Sequence, residues 1–272
     1  MTKRILSLIQ DFLGQTPPDY PAKPYVSEDK LSRSLHFNSC AVQSSMLLSK
    51  PFELELGYTQ SMMGFLLFNA VPKHILIVGL GGGSLSKYCY HQFQQAQITT
   101  VEINPEVIAL RDEFLIPRDD ERFRVVHADA SDYLATNDIQ ADIILLDGYD
   151  ASGLPDCLCS ESFYANCWRA LASHGVLVAN LWSSERSYEV YLNRLRSVFD
   201  SRMWSSKTHT SSNMIAFAIK SEDYSPHWSK LKSKAQTLDE RYRLNLSWFN
   251  TVYVELAPFD TIGSQLRQVF IF

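Results

Sequence analysis

The stretch HILIVGLGGGSL, from His74 to Leu85, constrains this chain more than any other. An unbroken apolar run suits a strand covered on both faces, and such strands belong to parallel sheets. The glycines that end it let the backbone turn tightly and let a ligand touch the main chain. The helix expected to start at Ser84 offers unpaired N–H donors in its first turn. Alone, the same glycines also fit a plain tight turn.

Four more runs of this kind follow: ITTVEI at 98–103, FRVVHAD at 123–129, ADIILLDG at 141–148 and GVLVANLW at 175–182. Helical segments are expected between them, at Ser84–Gln95, Pro105–Phe114, Ser131–Thr136 and Ser160–Leu171. Strands alternating with helices mean βαβ units, so the fold class is α/β, a Rossmann-like parallel sheet with helices on both faces. NMIAFAIK from Asn213 reads as a late strand paired with MWSSKT before it. This domain spans 72–220. Before it, residues 1–71 hold a short helix over 1–14, a proline-rich linker, two short strands (SLHFNS, AVQSSMLL) and a buried helix at Tyr58–Phe68. After it, residues 221–272 read as a helical tail, with helices near Trp228–Tyr242 and Leu244–Leu256. Trp228 and Trp248 are expected to pack that tail onto the domain. An exposed face of the tail is where a homodimer contact would form.

The second strand ends in Glu102, 23 residues after Gly79. An acid there is placed to hold ribose hydroxyls and to repel a 2′-phosphate. A surface acid is the alternative. The third strand ends in Asp129-Ala130, where a carboxylate can accept from an adenine amino group. The alternative is a helix N-cap, which Asp favours. A dinucleotide site shares the glycines and the first acid, which makes NAD the runner-up ligand. The third acid, with Asp132-Tyr133-Leu134 behind it, favours an S-adenosylmethionine-type nucleoside.

In TTVEINPEVIALRDEFL, DERFRVVHADASDYL, ADIILLDGYD and SESFYANCWRALASHGVLVANLW, and over roughly Val42–Lys220, the chain resembles the spermidine synthase family of polyamine aminopropyltransferases. That family has the class I methyltransferase fold. The resemblance implies a transferase that uses S-adenosylmethionine or its decarboxylated form, without a metal. It implies Gly79, Gly81, Gly82, Gly83 and Ala130 around the nucleoside, with Glu102 on ribose and Asp129 on adenine. The family's Asp-x-x-Asp is Asp147-Gly148-Tyr149-Asp150 here, which implies Asp147 and Asp150 as catalytic. An amine that attacks a carbon bonded to a sulfonium must shed a proton, and a carboxylate can hold the ammonium and take it. Loop capping is the plain alternative for both acids. Gln43, Tyr58 and Tyr149 are implied contacts to the acceptor, a polyamine or another small amine.

The departures bear on specificity. The acid of the family's glycine loop is Gly82 here, which removes the reason to prefer the decarboxylated cosubstrate. The family's Tyr-His-Glu is Tyr58-Thr59-Gln60, and its aromatic, glycine-rich polyamine segment is replaced by His209-Thr210-Ser211-Ser212-Asn213. Methylation of a non-polyamine small molecule, and nucleoside binding without catalysis, stand as the other readings.

A net charge of −5 with no Lys/Arg cluster argues against a nucleic-acid partner. No apolar run reaches the roughly 18–20 residues of a membrane span. The start, MTKRILSLIQDFLG, lacks a small-residue cleavage site and reads as a helix, not a signal peptide. Five irregularly spaced cysteines argue for a reducing, cytoplasmic compartment, and Cys157-Leu-Cys159 lacks the further ligands a metal site needs. Neither a G-x-S-x-G elbow nor a phosphate-binding G-x-x-x-x-G-K-[ST] loop is present.

Overall fold

Ile75 and Ile77 of strand β4 (His74–Val78) point into one apolar core, while Leu76 and Val78 point into a second. β7 (Ala141–Leu146) repeats this, with Ile143 and Leu145 on one side and Ile144 and Leu146 on the other. Alternation along a run that is apolar throughout is what a sheet buried on both faces requires. Burying each such side chain contributes about 1.5–3 kcal/mol. The computed structural model describes residues 23–37, 42–200, 202–208, 211–221, 228–246, 251–254 and 267–270. The helix expected over 1–14 lies outside them.

The parallel part of the sheet is β6 (Phe123–His127), β5 (Gln97–Glu102), β4, β7 and β8 (Leu171–Trp182), in that spatial order. Beyond β8 the sheet turns antiparallel, through β10 (Asn213–Ile219) and β9 (Met203–Lys207). The helices Ser84–Gln92, Pro105–Ala109, Ala130–Thr136 and Glu161–Ala170 fall close to their expected positions. Caps set two of these starts: Asn104 Oδ1 accepts from Glu106 N and Ser160 Oγ from Phe163 N. One helix was not foreseen, Tyr188–Phe199, which buries Tyr191, Leu192, Leu195 and Phe199.

A separate antiparallel sheet precedes this one: β1 (Tyr25–Glu28), β2 (Ser32–His36) and β3 (Ser44–Leu47). The expected buried helix forms as Gly57–Met62 and tightens into a 3₁₀ turn over Met63–Leu67. The tail is helical over Trp228–Tyr242. The second tail helix expected at 244–256 is corrected: β11 (Thr251–Val254) lies inside it and joins the sheet edge between β9 and β12 (Arg267–Phe270). Thr-Val-Tyr-Val is β-branched and aromatic throughout, which suits a pleated strand.

The sheet order reverses between β4 and β7. Open α/β sheets place ligands at such a switch point, beyond the carboxyl ends of the strands. No described helix is long and apolar enough to cross a membrane.

Candidate active site

Gly79 ends β4 with φ +94°, and a Cβ on it would lie 2.3 Å from the Asp147 carbonyl oxygen. Glycine is what lets the ends of β4 and β7 approach this closely. Asp147 N donates to Val78 O at 2.9 Å across the same gap. A cleft of about 530 Å³ opens here, a size ordinary for a small-molecule site.

Glu102, the last residue of β5, lines that cleft. Its Oε2 accepts from Leu80 N at 2.8 Å and its Oε1 from Asn104 N at 2.8 Å. The acid therefore fastens the glycine loop to the loop after β5. Asp129 also lines the cleft, and its Oδ1 accepts from Ser131 N at 2.7 Å and Asp132 N at 3.4 Å. It is an N-cap and a cleft residue at once, so the two readings of this acid do not exclude each other. Ala130 lines the cleft beside it, as do Gly79 and Gly81.

Gly82 and Gly83 sit behind the lining of the cleft. Both are buried and neither lines the cleft. A Cβ on Gly82 would meet Ser44 Oγ at 2.7 Å and the Phe114 ring at 2.9 Å, and one on Gly83 would meet Ile116 at 2.4 Å. These two glycines serve close packing against β3 and the 111–116 loop. The buried Lys87 holds that loop, donating to Phe114 O at 2.7 Å.

Asp147 follows β7 and is half-buried. Tyr58 Oη donates to its Oδ2 at 3.1 Å and Asn180 Nδ2 donates to its Oδ1 at 2.8 Å. Burial pushes the carboxyl up from its ordinary range, and the Asn180 and Tyr58 donors pull it back. Tyr58 is pushed well above its ordinary range, first by burial and then by the Asp147 charge, so it stays a phenol and a donor.

Asp150 is exposed on the rim of the same cleft. Its Oδ1 accepts from Ser152 N at 2.6 Å and Gly153 N at 3.1 Å, so it closes its own loop. Tyr149 stacks on Trp182 at 4.7 Å between ring centroids and donates to Asn180 O at 3.1 Å. Gln43 lines the cleft and donates its N–H to Leu35 O at 2.9 Å. Ser44 Oγ lies 3.2 Å from Ser84 Oγ at the first turn of the helix after the glycines.

Reading by motif missed Asn180, Trp182 and Asn213. An asparagine inside the apolar run GVLVANLW was a usable signal, because a buried polar side chain needs a reason. Among the described residues, the charged side chains that line the cleft are Glu102, Asp129, Asp147 and Asp150, with no lysine, arginine or histidine. Such a cleft favours a cationic ligand.

Residues 55–229 match the model of the spermine/spermidine synthase domain. The chain belongs to the spermine/spermidine synthase family. A polyamine aminopropyltransferase of Chromobacterium violaceum is 38% identical over 241 residues, 88% of this chain and 92% of that protein. Solved structures show the same fold. A probable spermidine synthase from Corynebacterium glutamicum superposes with a TM-score of 0.65 at 20% identity, covering 78% of this chain and 83% of that one. Human methyltransferase-like protein 13, in complex with SAH, gives a TM-score of 0.64 at 24% identity, over 70% and 94%. Membership makes this chain a transferase of the methyltransferase-like Rossmann class.

Proposed function

We propose that this family member transfers an aminopropyl group from decarboxylated S-adenosylmethionine to a small amine of the polyamine class, with Asp147 as proton acceptor. The observation that carries this reading is Asp147 itself: a half-buried carboxylate beyond a central strand, held by two neutral donors, in a cleft lined by acids. The relatives' names point the same way.

The reaction is a displacement at carbon. The attacking ammonium gives its proton to Asp147, and the freed nitrogen lone pair forms the new N–C bond. The C–S electron pair returns to the sulfonium sulfur, and methylthioadenosine leaves. In this reading Glu102 holds the ribose, Asp129 the adenine amino group, and Gly79, Gly81 and Ala130 the nucleoside faces. Asp150, Gln43 and the rings of Tyr58 and Tyr149 favour a cationic acceptor. The free thiols of Cys89, Cys157, Cys159 and Cys167 fit a cytoplasmic setting.

One observation favours a second reading, methyl transfer from S-adenosylmethionine. The loop Gly79-Leu80-Gly81-Gly82-Gly83 carries no acid to fix the amine of a decarboxylated cosubstrate or to repel the carboxylate of the ordinary one. Incubating the protein with each cosubstrate and a panel of diamines and polyamines separates the two. Methylthioadenosine release with the decarboxylated form supports aminopropyl transfer; S-adenosylhomocysteine release with the ordinary form overturns it in favour of methyl transfer.

A further inference from the structure

Asn180 on β8 and Asn213 on β10 are 2% and 8% exposed. Asn213 stands opposite Trp182 in the antiparallel register, which puts it diagonally across from Asn180 on one face. A buried amide is costly unless its polar atoms find partners. Here the partners run in one direction. Ser211 Oγ donates to Asn213 Oδ1 at 2.5 Å, Asn213 Nδ2 to Asn180 Oδ1 at 2.7 Å, and Asn180 Nδ2 to Asp147 Oδ1 at 2.8 Å. Each amide has its oxygen turned to the donor behind it, so its NH₂ faces forward. The source of the relay is also fixed: Thr208 Oγ1 lies 2.8 Å from Ser211 Oγ, and Ser183 N and Oγ donate to Ser212 O at 3.1 and 2.7 Å.

We propose that Asn180 and Asn213 are positioning residues for the transfer reaction: through them the turn between β9 and β10 fixes the orientation of the Asp147 carboxylate and stabilises its charge. The proposal rests on the reading of Asp147 as proton acceptor. Without the relay Asn180 is free to rotate and to present its oxygen to the carboxylate, replacing attraction with repulsion. Other groups face Asp147 as well. Tyr58 donates to its second oxygen, Tyr149 packs beside it with Glu185 nearby, and Glu102, Asp129 and Asp150 share the cleft. Burial raises its proton affinity; Asn180 and Tyr58 are the neutral donors that oppose it.

The test needs no known acceptor. The carboxyl carbon of Asp147 is titrated by carbon-13 NMR in the full chain, in wild type, Asn213→Leu and Asn213→Ala. Both variants lack the donor to Asn180, and Ala serves if the larger apolar residue disturbs the sheet. The expected result is a midpoint about one pH unit higher in the variants, a tenfold gain in proton affinity. Nucleoside affinity should stay within about twofold, since no nucleoside contact is touched. An unchanged midpoint in a folded variant overturns the relay. Turnover of Asp147→Asn, measured in parallel, separates this from the functional reading. If Asp147→Asn is inactive while both Asn213 variants titrate as wild type, the relay alone falls. If Asp147→Asn is fully active, the role of Asp147 falls and the relay's part in the reaction with it.

Discussion

The Tyr58 hydroxyl donates to Oδ2 of Asp147 across 3.1 Å, tying a helix that precedes the sheet to the end of β7, 89 residues on. With Asn180 on Oδ1, each carboxylate oxygen has a neutral donor. Burial raises the Asp147 carboxyl and these donors lower it, so removing one raises it further. A base must be ionised to accept a proton, so activity fades as pH falls through that value. Tyr58→Phe keeps the ring and loses the donor. Its pH–rate profile should have an acidic limb displaced to higher pH, with turnover near neutrality roughly tenfold lower, as expected for one hydrogen bond to a charge. A profile superimposable on wild type would assign the tyrosine to packing alone.

Glu102 has a double task, because its two oxygens accept from Leu80 N and Asn104 N while its carboxylate faces the cleft. Glu102→Ala should weaken nucleoside binding by about 1–3 kcal/mol, the cost of losing hydrogen bonds to a charged acceptor. Calorimetric titration with methylthioadenosine reads this directly. Equal affinity in the variant would remove Glu102 from the ribose.

Gly82→Asp would restore an acid to the glycine loop, but its Cβ would fall 2.7 Å from Ser44 Oγ and 2.9 Å from Phe114. Overpacking of this kind costs about 1–3 kcal/mol. The single variant should therefore melt lower than wild type, and Ser44→Ala in the same chain should restore part of the loss. If the single variant melts at the wild-type temperature, the loop has room for an acid and the covering of Gly82 does not govern cosubstrate choice.

Lys87 is 1% exposed and its ammonium is met by Phe114 O and Met46 Sδ, with no carboxylate partner among the described residues. Burial holds it down at about 8. Above that pH the folded protein has lost this proton while the unfolded chain keeps it up to about 10.4, so the unfolded state binds more protons and stability rises with pH. Relative to Lys87→Met, the wild type should gain up to about 1.4 kcal/mol per pH unit between 8 and 10. Urea unfolding at pH 7, 8, 9 and 10 measures the difference. A gap that does not change with pH would mean the lysine is ordinary in its titration.

The five parallel strands and Glu102, Asp129 and Asp147 were legible because one apolar run per strand, closed by an acid in three of them, is a local signal. The β8–β10 face was not. Asn180 stands out in its apolar run, but its pairing with Asn213 shows only once the antiparallel register sets them diagonally, and that register depends on a pairing 33 residues apart. The helix Tyr188–Phe199 was passed over although Tyr191, Leu192, Leu195 and Phe199 recur at helical spacing, because its charged residues dilute the run. The close packing of Gly82 and Gly83 was not legible either. Their contacts, Ser44, Phe114 and Ile116, come from segments far along the chain. β11 gains its strand character from pairing with β9, a contact that the local sequence does not show.

The claim that Asp147 takes the proton in attack on a sulfonium carbon is tested most directly by Asp147→Asn, which keeps the shape and loses the charge. Methylthioadenosine release is measured with decarboxylated S-adenosylmethionine and the best amine of the panel, alongside calorimetric affinity for the nucleoside. The account predicts a fall in kcat of about 10²–10⁴ with nucleoside affinity unchanged within about threefold. Undiminished kcat in the variant would contradict it.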